Sequence, residues 1–412
     1  MSVFTDKRIL LGVTGSIAAY KAADLASKLA QAGAQVDVIL TTGAEKFVTP
    51  LTFQSVTGRR AFTDSDLWGG EAHVLHVGLA HRADALVVAP CTANTLAKLA
   101  HGLADNLLTI AALASRSPLV LAPAMDGGMF DAPATQSNLT TLLERGASIL
   151  GPAEGHLASG ISGIGRMLEP AEILGHLRLV LGQKGSLAAK KVVVSAGGTQ
   201  EPLDPVRVLT NRSSGKQGYA LAQAALDAGA QVTLISAPAA LTAPVGAEVI
   251  RVETARQMLE AVLAECADAD ALIMAAAVAD FRPKNAAGSK MKKRDGIPQV
   301  ELEATEDILE AVARQRLALS EVEGSKKKRP KVTVGFAAES QNLLANASEK
   351  LKSKDLDLIV ANDISASDAG FEVETNRVTL LFENGKQESL PLMSKVEVAE
   401  TIIARLAALL ET

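Results

Sequence analysis

Asn211-Arg-Ser-Ser-Gly-Lys-Gln-Gly218 gathers hydrogen-bonding side chains and two glycines at the approach to a helical stretch. That composition offers donors to an anion and lets it come close to the backbone. It equally suits a helix N-cap made by Ser213 or Ser214, and the two readings are compatible. Two shorter turns repeat the theme. Val13-Thr-Gly-Ser16 and Ala196-Gly-Gly-Thr199 each follow an apolar β-branched run and precede a helix. The amides of a helix's first turn point outward unpaired and the helix dipole favours an anion, so both turns suit a phosphate. Each reads equally well as a plain tight connection. The next strands end in Thr41-Thr42 and Ser236, where a dinucleotide fold carries an acidic residue for the ribose diol, and neither turn completes G-x-G-x-x-G. Those hydroxyls suit a phosphate or a flavin phosphate tail and disfavour an NAD(P) oxidoreductase.

Charged and acid–base groups cluster elsewhere. Between Pro283 and Pro298 a polar loop carries Lys290, Lys292, Lys293 and Arg294, directly after the strand end Ala277-Val-Ala-Asp280. It reads as a solvated face or as a basic flap closing on a triphosphate. The second basic run, Lys326 to Lys331, reads as a solvated turn. His76 stands between a Gly-rich loop and a strand, as a structural histidine or a proton carrier. The exits Ala89-Pro-Cys-Thr-Ala-Asn94 and Ala122-Pro-Ala-Met-Asp126 fall at carboxyl ends of strands, where catalytic groups gather. Residues 158–167 are too glycine-rich for a helix and read as a flexible flap.

These groups need scaffolds, and the chain begins one twice. Residues 8–41 and 191–236 share an order of apolar strand, small-residue turn, helix, glycine and second strand, and Ala-Gly-Ala-Gln-Val recurs in both. This is the layout of a right-handed βαβ unit. Short buried strands follow within 81–90, 115–125 and 146–152, then a helix over 170–182, then a stretch without periodicity taken as a linker, 183–190. The second half adds strands within 269–281, 331–340 and 356–364, a hairpin turning at Asn384-Gly385, and a closing helix over 394–411. The expected fold is α/β with two doubly wound domains. With 412 residues, 48% apolar and 3% aromatic, the chain supports two cores and offers little stacking surface. A net charge of −5 argues further against nucleic acid. Cys91 and Cys266 stand alone in apolar segments, which excludes a disulfide framework and fits a reducing cytoplasm. No apolar run approaches the roughly 20 residues of a membrane span, so no membrane partner is expected.

Taken together, the chain resembles the bifunctional phosphopantothenoylcysteine decarboxylases and phosphopantothenate–cysteine ligases of coenzyme A biosynthesis, over nearly its full length. GVTGSIAAYK, APCTANTLAKLAHGLADNLLT, the His76 segment, LAPAM and GIGRM resemble the family's flavin-dependent decarboxylases. SAGGTQEPLDPVR, TNRSSGKQG, AAAVADFRP, KMKK, GFAAES and LDLIVAND resemble its ligases.

The resemblance implies a flavodoxin-like flavoprotein domain at 1–182 and a Rossmann-like ligase domain at 191–412. In the ligase, CTP activates 4′-phosphopantothenate as an acyl-cytidylate, pyrophosphate leaves, and the amine of L-cysteine attacks. Gly197, Gly198, Ser213 and Ser214 would hold phosphates, Asp280 and Lys290 would orient nucleotide and charge, and Asn211 would handle the acyl-cytidylate. Met274, Ala275, Ala276, Glu306, Asp307, Ile308, Leu309, Phe336, Lys350 and Lys354 would contact CTP, with Mg²⁺ on the triphosphate through ligands the pattern leaves unassigned. In the decarboxylase, Gly15, Ser16, Thr41, Thr92 and Asn94 would bind FMN and His76 would take a substrate proton. Large homo-oligomers are implied as well.

Two positions depart from the family pattern. Asp126 stands where an asparagine amide meets the substrate carboxylate, and Ser159 replaces the flap cysteine. Two carboxylates about 4 Å apart repel by roughly 4 kcal/mol at an effective dielectric near 20, unless one is protonated or a cation intervenes. A serine hydroxyl is also a far weaker acid than a thiol. The alternative for the first half is therefore a flavin-binding domain with slow, altered or lost decarboxylase activity.

Overall fold

The computed structural model describes residues 2–68, 74–157, 160, 162–293, 297–322, 329–339, 342–363 and 373–411. The chain divides into two compact units, Met1–Leu181 and Gly182–Thr412.

The first unit runs β1 (Arg8–Val13), α1 (Ala19–Gln31), β2 (Gln35–Leu40), α2 (Pro50–Thr57), β3 (Ala61–Thr63), α3 (Leu75–Arg82), β4 (Ala85–Cys91), α4 (Ala93–His101), α5 (Leu107–Ala114), β5 (Leu119–Pro123), α6 (Gly127–Phe130), α7 (Pro133–Glu144), β6 (Ser148–Ile149), β7 (Ala153–His156), β8 (Ser162–Arg166) and α8 (Pro170–Gly182). Its sheet has the order β3-β2-β1-β4-β5-β6, parallel throughout. Without the three-residue edge strand β3 this is the flavodoxin order, and the switch point lies between β1 and β4. The apolar runs explain it. Ile9, Leu11 and Val13 face one core with Leu25 and Leu29 of α1 and Ile173 and Leu177 of α8. Leu10, Leu86 and Val88 face the other with Leu96, Leu107, Leu139 and Leu142. Each fully buried Leu or Ile contributes about 1.5–3 kcal/mol, so a strand covered on both faces is held in register from both sides.

The second unit runs β9 (Lys191–Ala196), β10 (Gln200–Pro202), β11 (Val208–Thr210), α9 (Lys216–Asp227), β12 (Gln231–Ser236), β13 (Glu248–Arg251), α10 (Ala255–Cys266), β14 (Ala271–Met274), β15 (Phe281–Pro283), β16 (Leu302–Ala304), α11 (Ile308–Val322), β17 (Val332–Glu339), α12 (Leu343–Ser353), β18 (Leu358–Asp363), β19 (Thr375–Asn376), β20 (Val378–Phe382), β21 (Gln387–Ser389), β22 (Met393–Ser394) and α13 (Lys395–Glu411). The sheet order is β13-β12-β9-β14-β17-β18-β20-β21. It is parallel as far as β18, then closes with the antiparallel hairpin that turns at Gly385, φ +83°.

Four expectations need correction. The segment 183–190 is not a free linker: Leu187 is fully buried and its amide donates to Ala228 at 2.8 Å. The strand expected within 269–281 stops at Met274, because the following backbone is drawn to the Gly-Gly-Thr turn, where the Ala277 amide donates to Gly197 O at 2.8 Å and the Ala279 amide to Thr199 Oγ1 at 2.9 Å. The glycine-rich flap is partly a strand: Ser162–Arg166 pairs antiparallel with β7, while Ala158, Ser159 and Ile161 lie outside the described residues. In the second basic run, Arg329 and Lys331 each reach Asp270 at 3.1 Å rather than solvent alone.

Candidate functional site

In the first unit, Thr14 ties the switch point together. Its hydroxyl donates to Pro90 O at 2.7 Å and accepts the Thr92 amide at 3.1 Å, joining the exits of β1 and β4. Gly15 and Ser16 therefore stand on one lip and Thr92 and Asn94 on the other. Thr92 caps α4 by accepting the Thr95 amide, and Thr41, at the β2 exit, accepts the Ala44 amide. A Cβ at Gly15 would press on the Gly43 backbone at 3.0 Å, so only glycine lets the two exits approach this closely. A rim of hydroxyls, an amide and the turn before α1 fits a phosphate-bearing flavin in donor chemistry.

Asp64 was not foreseen here. It accepts from the Thr42 amide and hydroxyl, and from the Leu107 amide at 3.0 Å, so the carboxylate near the β2 exit serves the scaffold. His76 lies half-buried in the first turn of α3. Asp126 is half-buried and N-caps α6, accepting the Gly128 amide at 3.0 Å. Its carboxylate thus serves as the acceptor that caps this short helix. Ser159 lies outside the described residues. Neither cysteine replaces the flap thiol: Cys91 is buried with its thiol pushed far up by desolvation, and burial pushes Cys266 up to about 12.

The second unit holds a cavity of about 490 Å³ at the carboxyl ends of β14, β17 and β18. Asn211 closes one lip, its amide donating to Val278 O at 3.1 Å and to Ala277 O at 3.4 Å. Ser213 and Ser214 line it; the N-cap position of α9 is Gly215 in the left-handed region, φ +75°, while the Ser214 hydroxyl still accepts the Lys216 amide of the first turn at 3.5 Å. The opposite wall is α11. Asp307 accepts the Glu310 amide at 3.0 Å, and Ile308 and Leu309 form an apolar floor with Phe336. Burial would raise the Asp307 pKa, but the Glu310 amide and the Lys354 ammonium at 3.0 Å hold it below the usual carboxylate range. Lys350 donates to Phe336 O at 3.0 Å.

The cavity thus gathers Asn211, Ser213, Ser214, Met274, Ala275, Ala276, Asp280, Glu306, Asp307, Ile308, Leu309, Phe336 and Lys350. Gly197 and Gly198 are not in its lining: Gly197 O accepts the Ala277 amide at 2.8 Å, and Gly198 pairs with Ala277 as an isolated bridge. Lys354 reaches it through Asp307 and Glu310. Lys290 is exposed and outside the lining; its neighbour Met291 is anchored by Asp204, which also binds Arg207, and that guanidinium holds the Asp204 carboxyl far below the usual range. Thr305, Asn362, Asn376 and Lys395 line the cavity unforeseen. One signal was available for Lys395: a cation at the first position of a helix opposes the dipole. Among the described residues, no three His, Cys, Asp or Glu side chains are grouped to hold a metal, and no helix is long and apolar enough to cross a membrane.

A family model described as "Flavoprotein" matches residues 3–181, and one described as "DNA/pantothenate metabolism flavoprotein C-terminal domain" matches 187–410. The coenzyme A biosynthesis bifunctional protein CoaBC of Bacillus subtilis is 45% identical over 410 residues, covering 99% of this chain and 98% of its own. That of Mycobacterium bovis is 42% identical over 407 residues, covering 96% and 95%. A crystal structure of the C-terminal domain of such a protein aligns with 38% identity and TM-score 0.45, over 55% of this chain and 98% of that one. A phosphopantothenoylcysteine decarboxylase mutant, named as "PPC decarboxylase", aligns with 37% identity and TM-score 0.40, over 42% and 97%.

Proposed function

Because the chain belongs to the family of bifunctional coenzyme A biosynthesis proteins, we propose that its cavity activates 4′-phosphopantothenate with CTP for ligation to L-cysteine, and that its first unit binds FMN and decarboxylates the product. The protein is a bifunctional enzyme of coenzyme A biosynthesis with a ligase half and a decarboxylase half.

One observation carries the ligase assignment to this cavity. The Asn211 amide bonds the Ala277–Val278 backbone, joining the two polar strand exits over an apolar floor. A carboxylate is a poor electrophile. Its oxygen attacks the α-phosphorus of CTP, pyrophosphate leaves, and the amine of cysteine then attacks the acyl carbon with departure of CMP. Ser213 and Ser214 suit the phosphates, and Ile308, Leu309 and Phe336 the base. In this reading Asn211 handles the acyl-cytidylate, and Lys290, on the loop rooted by Asp204, closes charge over the nucleotide. Mg²⁺ in such sites needs only one or two carboxylates beside the phosphates, and Asp280 supplies one.

In the first unit, Gly15 and Ser16 suit the flavin phosphate, with Thr41, Thr92 and Asn94 around it. FMN, when bound, supplies two-electron chemistry that oxidises the cysteinyl thiol and, after carbon dioxide leaves, returns the electrons. His76 takes the substrate proton and Asp126 meets the substrate carboxylate end. The same reading makes the protein a homo-oligomer.

The test is mass spectrometry of products after the purified yellow protein meets 4′-phosphopantothenate, cysteine, CTP and Mg²⁺. Phosphopantetheine, CMP and pyrophosphate are expected. Accumulated phosphopantothenoylcysteine would leave only the ligase half of the reading, and no new product would overturn it.

A further inference from the structure

We propose that the cavity wall formed by Lys216, Gln217, Asn376 and Lys395 is the seat of the amino-acid co-substrate, whose carboxylate lies between the two lysines and whose amine donates to the side-chain oxygen of Asn376. The proposal rests on the ligase reading and adds a subsite to it.

Lys216 is the first residue of α9 and Lys395 the first of α13, and both line the same cavity. Each puts a cation where a helix dipole is already positive. Lys395 is only 6% exposed. Burial and the nearby Lys216 ammonium depress its pKa, against the opposing pull of Glu374, whose carboxylate pairs with Lys216. An anion between the two ammonium groups relieves that repulsion.

The wall also calls for a donor. Gln217 Nε2 donates to the Lys395 carbonyl at 3.1 Å, which turns Gln217 Oε1 toward Asn376 and makes it accept from Asn376 Nδ2 at 3.5 Å. This relay fixes which way the Asn376 amide points and leaves its Oδ1 without a partner among the described residues, in a side chain 3% exposed. Asn362, 8% exposed in the same lining, has an unpartnered Oδ1 as well. Buried acceptors without donors are costly, so a ligand that satisfies this wall carries an anion and an N–H or O–H donor side by side. A zwitterionic amino acid does. A polyphosphate carries acceptors only, and a metal ion between the lysines would be repelled.

Amide formation by the full-length protein, with each substrate varied in turn, tests this with two amines: cysteine, and cysteamine, which lacks the carboxylate. Lys395→Met is expected to raise the KM for cysteine about tenfold or more while the cysteamine kcat/KM and the KM for CTP stay within about threefold. Asn376→Leu is expected to raise the KM for both amines. A rise in the KM for CTP instead would assign the wall to the polyphosphate. Equal losses for cysteine and cysteamine in Lys395→Met would reduce Lys395 to a structural part. Either result overturns the proposal. Absence of amide product from the unsubstituted protein would instead overturn the ligase reading itself, before any variant is compared.

Discussion

The amide of Met125 donates to the carbonyl of Gly165 at 3.0 Å. Gly165 has φ +140°, and a Cβ there would overlap the Met125 carbonyl oxygen. This contact stitches the β5 exit, which carries Asp126, to the β7–β8 hairpin.

Gly165→Ala should break that seam. Left-handed strain plus the overlap costs about 2–4 kcal/mol, and the Met125 amide should lose hydrogen-exchange protection together with that of β8. Unchanged protection would show that the seam tolerates a side chain.

Asp126→Asn separates charge from capping. Asparagine caps a helix as well as aspartate, so α6 should keep its structure. Decarboxylation should be preserved or raised, since the variant removes roughly 4 kcal/mol of possible repulsion between carboxylates about 4 Å apart. Loss of activity with an intact fold would assign Asp126 a charged role.

Lys354→Met tests whether Asp307 needs its partner. Lys354 does not line the cavity but holds Asp307 at 3.0 Å. The KM for CTP should rise about fivefold, the equivalent of ~1 kcal/mol for a half-exposed pair, with kcat little changed. A fall in kcat at constant KM would contradict this positioning role.

Asp270 supplies a pH signature. Burial would raise its pKa, but the Lys191 amide at 3.1 Å and the cations Lys331 and Arg329 hold it below the usual carboxylate value. A carboxyl depressed in the folded state stabilises above its unfolded pKa of about 4 and loses that contribution as pH falls through the folded value. Urea midpoints should therefore decline below about pH 4, and Asp270→Asn should flatten that decline while costing about 2 kcal/mol at neutral pH. A parallel decline in both proteins would place the acid sensitivity elsewhere.

Local pattern made much of this protein legible. Apolar runs such as Ile9–Val13 and Val192–Val194 dictate buried strands whatever surrounds them, and the α8 and α13 stretches carry helical periodicity of their own. Hence two doubly wound units and the glycine turn before α1 were readable, as was the hairpin at Gly385, because each depends on neighbours in the chain; the Gly-Gly-Thr turn instead leads into β10 and β11 before α9. The end of β14 was not, since Ala277 is pulled from the sheet by Gly197, distant in sequence. Nor was the cavity's far wall. Asn376 and Lys395 look like ordinary strand and helix starts until the fold brings them beside Gln217, and Asp64 looks like a loop acid until Thr42 and Leu107 bind it. Sequence determined which segments become strands, helices and phosphate-sized turns, because those follow from side-chain periodicity and backbone freedom. Tertiary structure alone decided which polar groups share a cavity and which are used up as scaffold, because hydrogen-bond partners are assigned by distance in space.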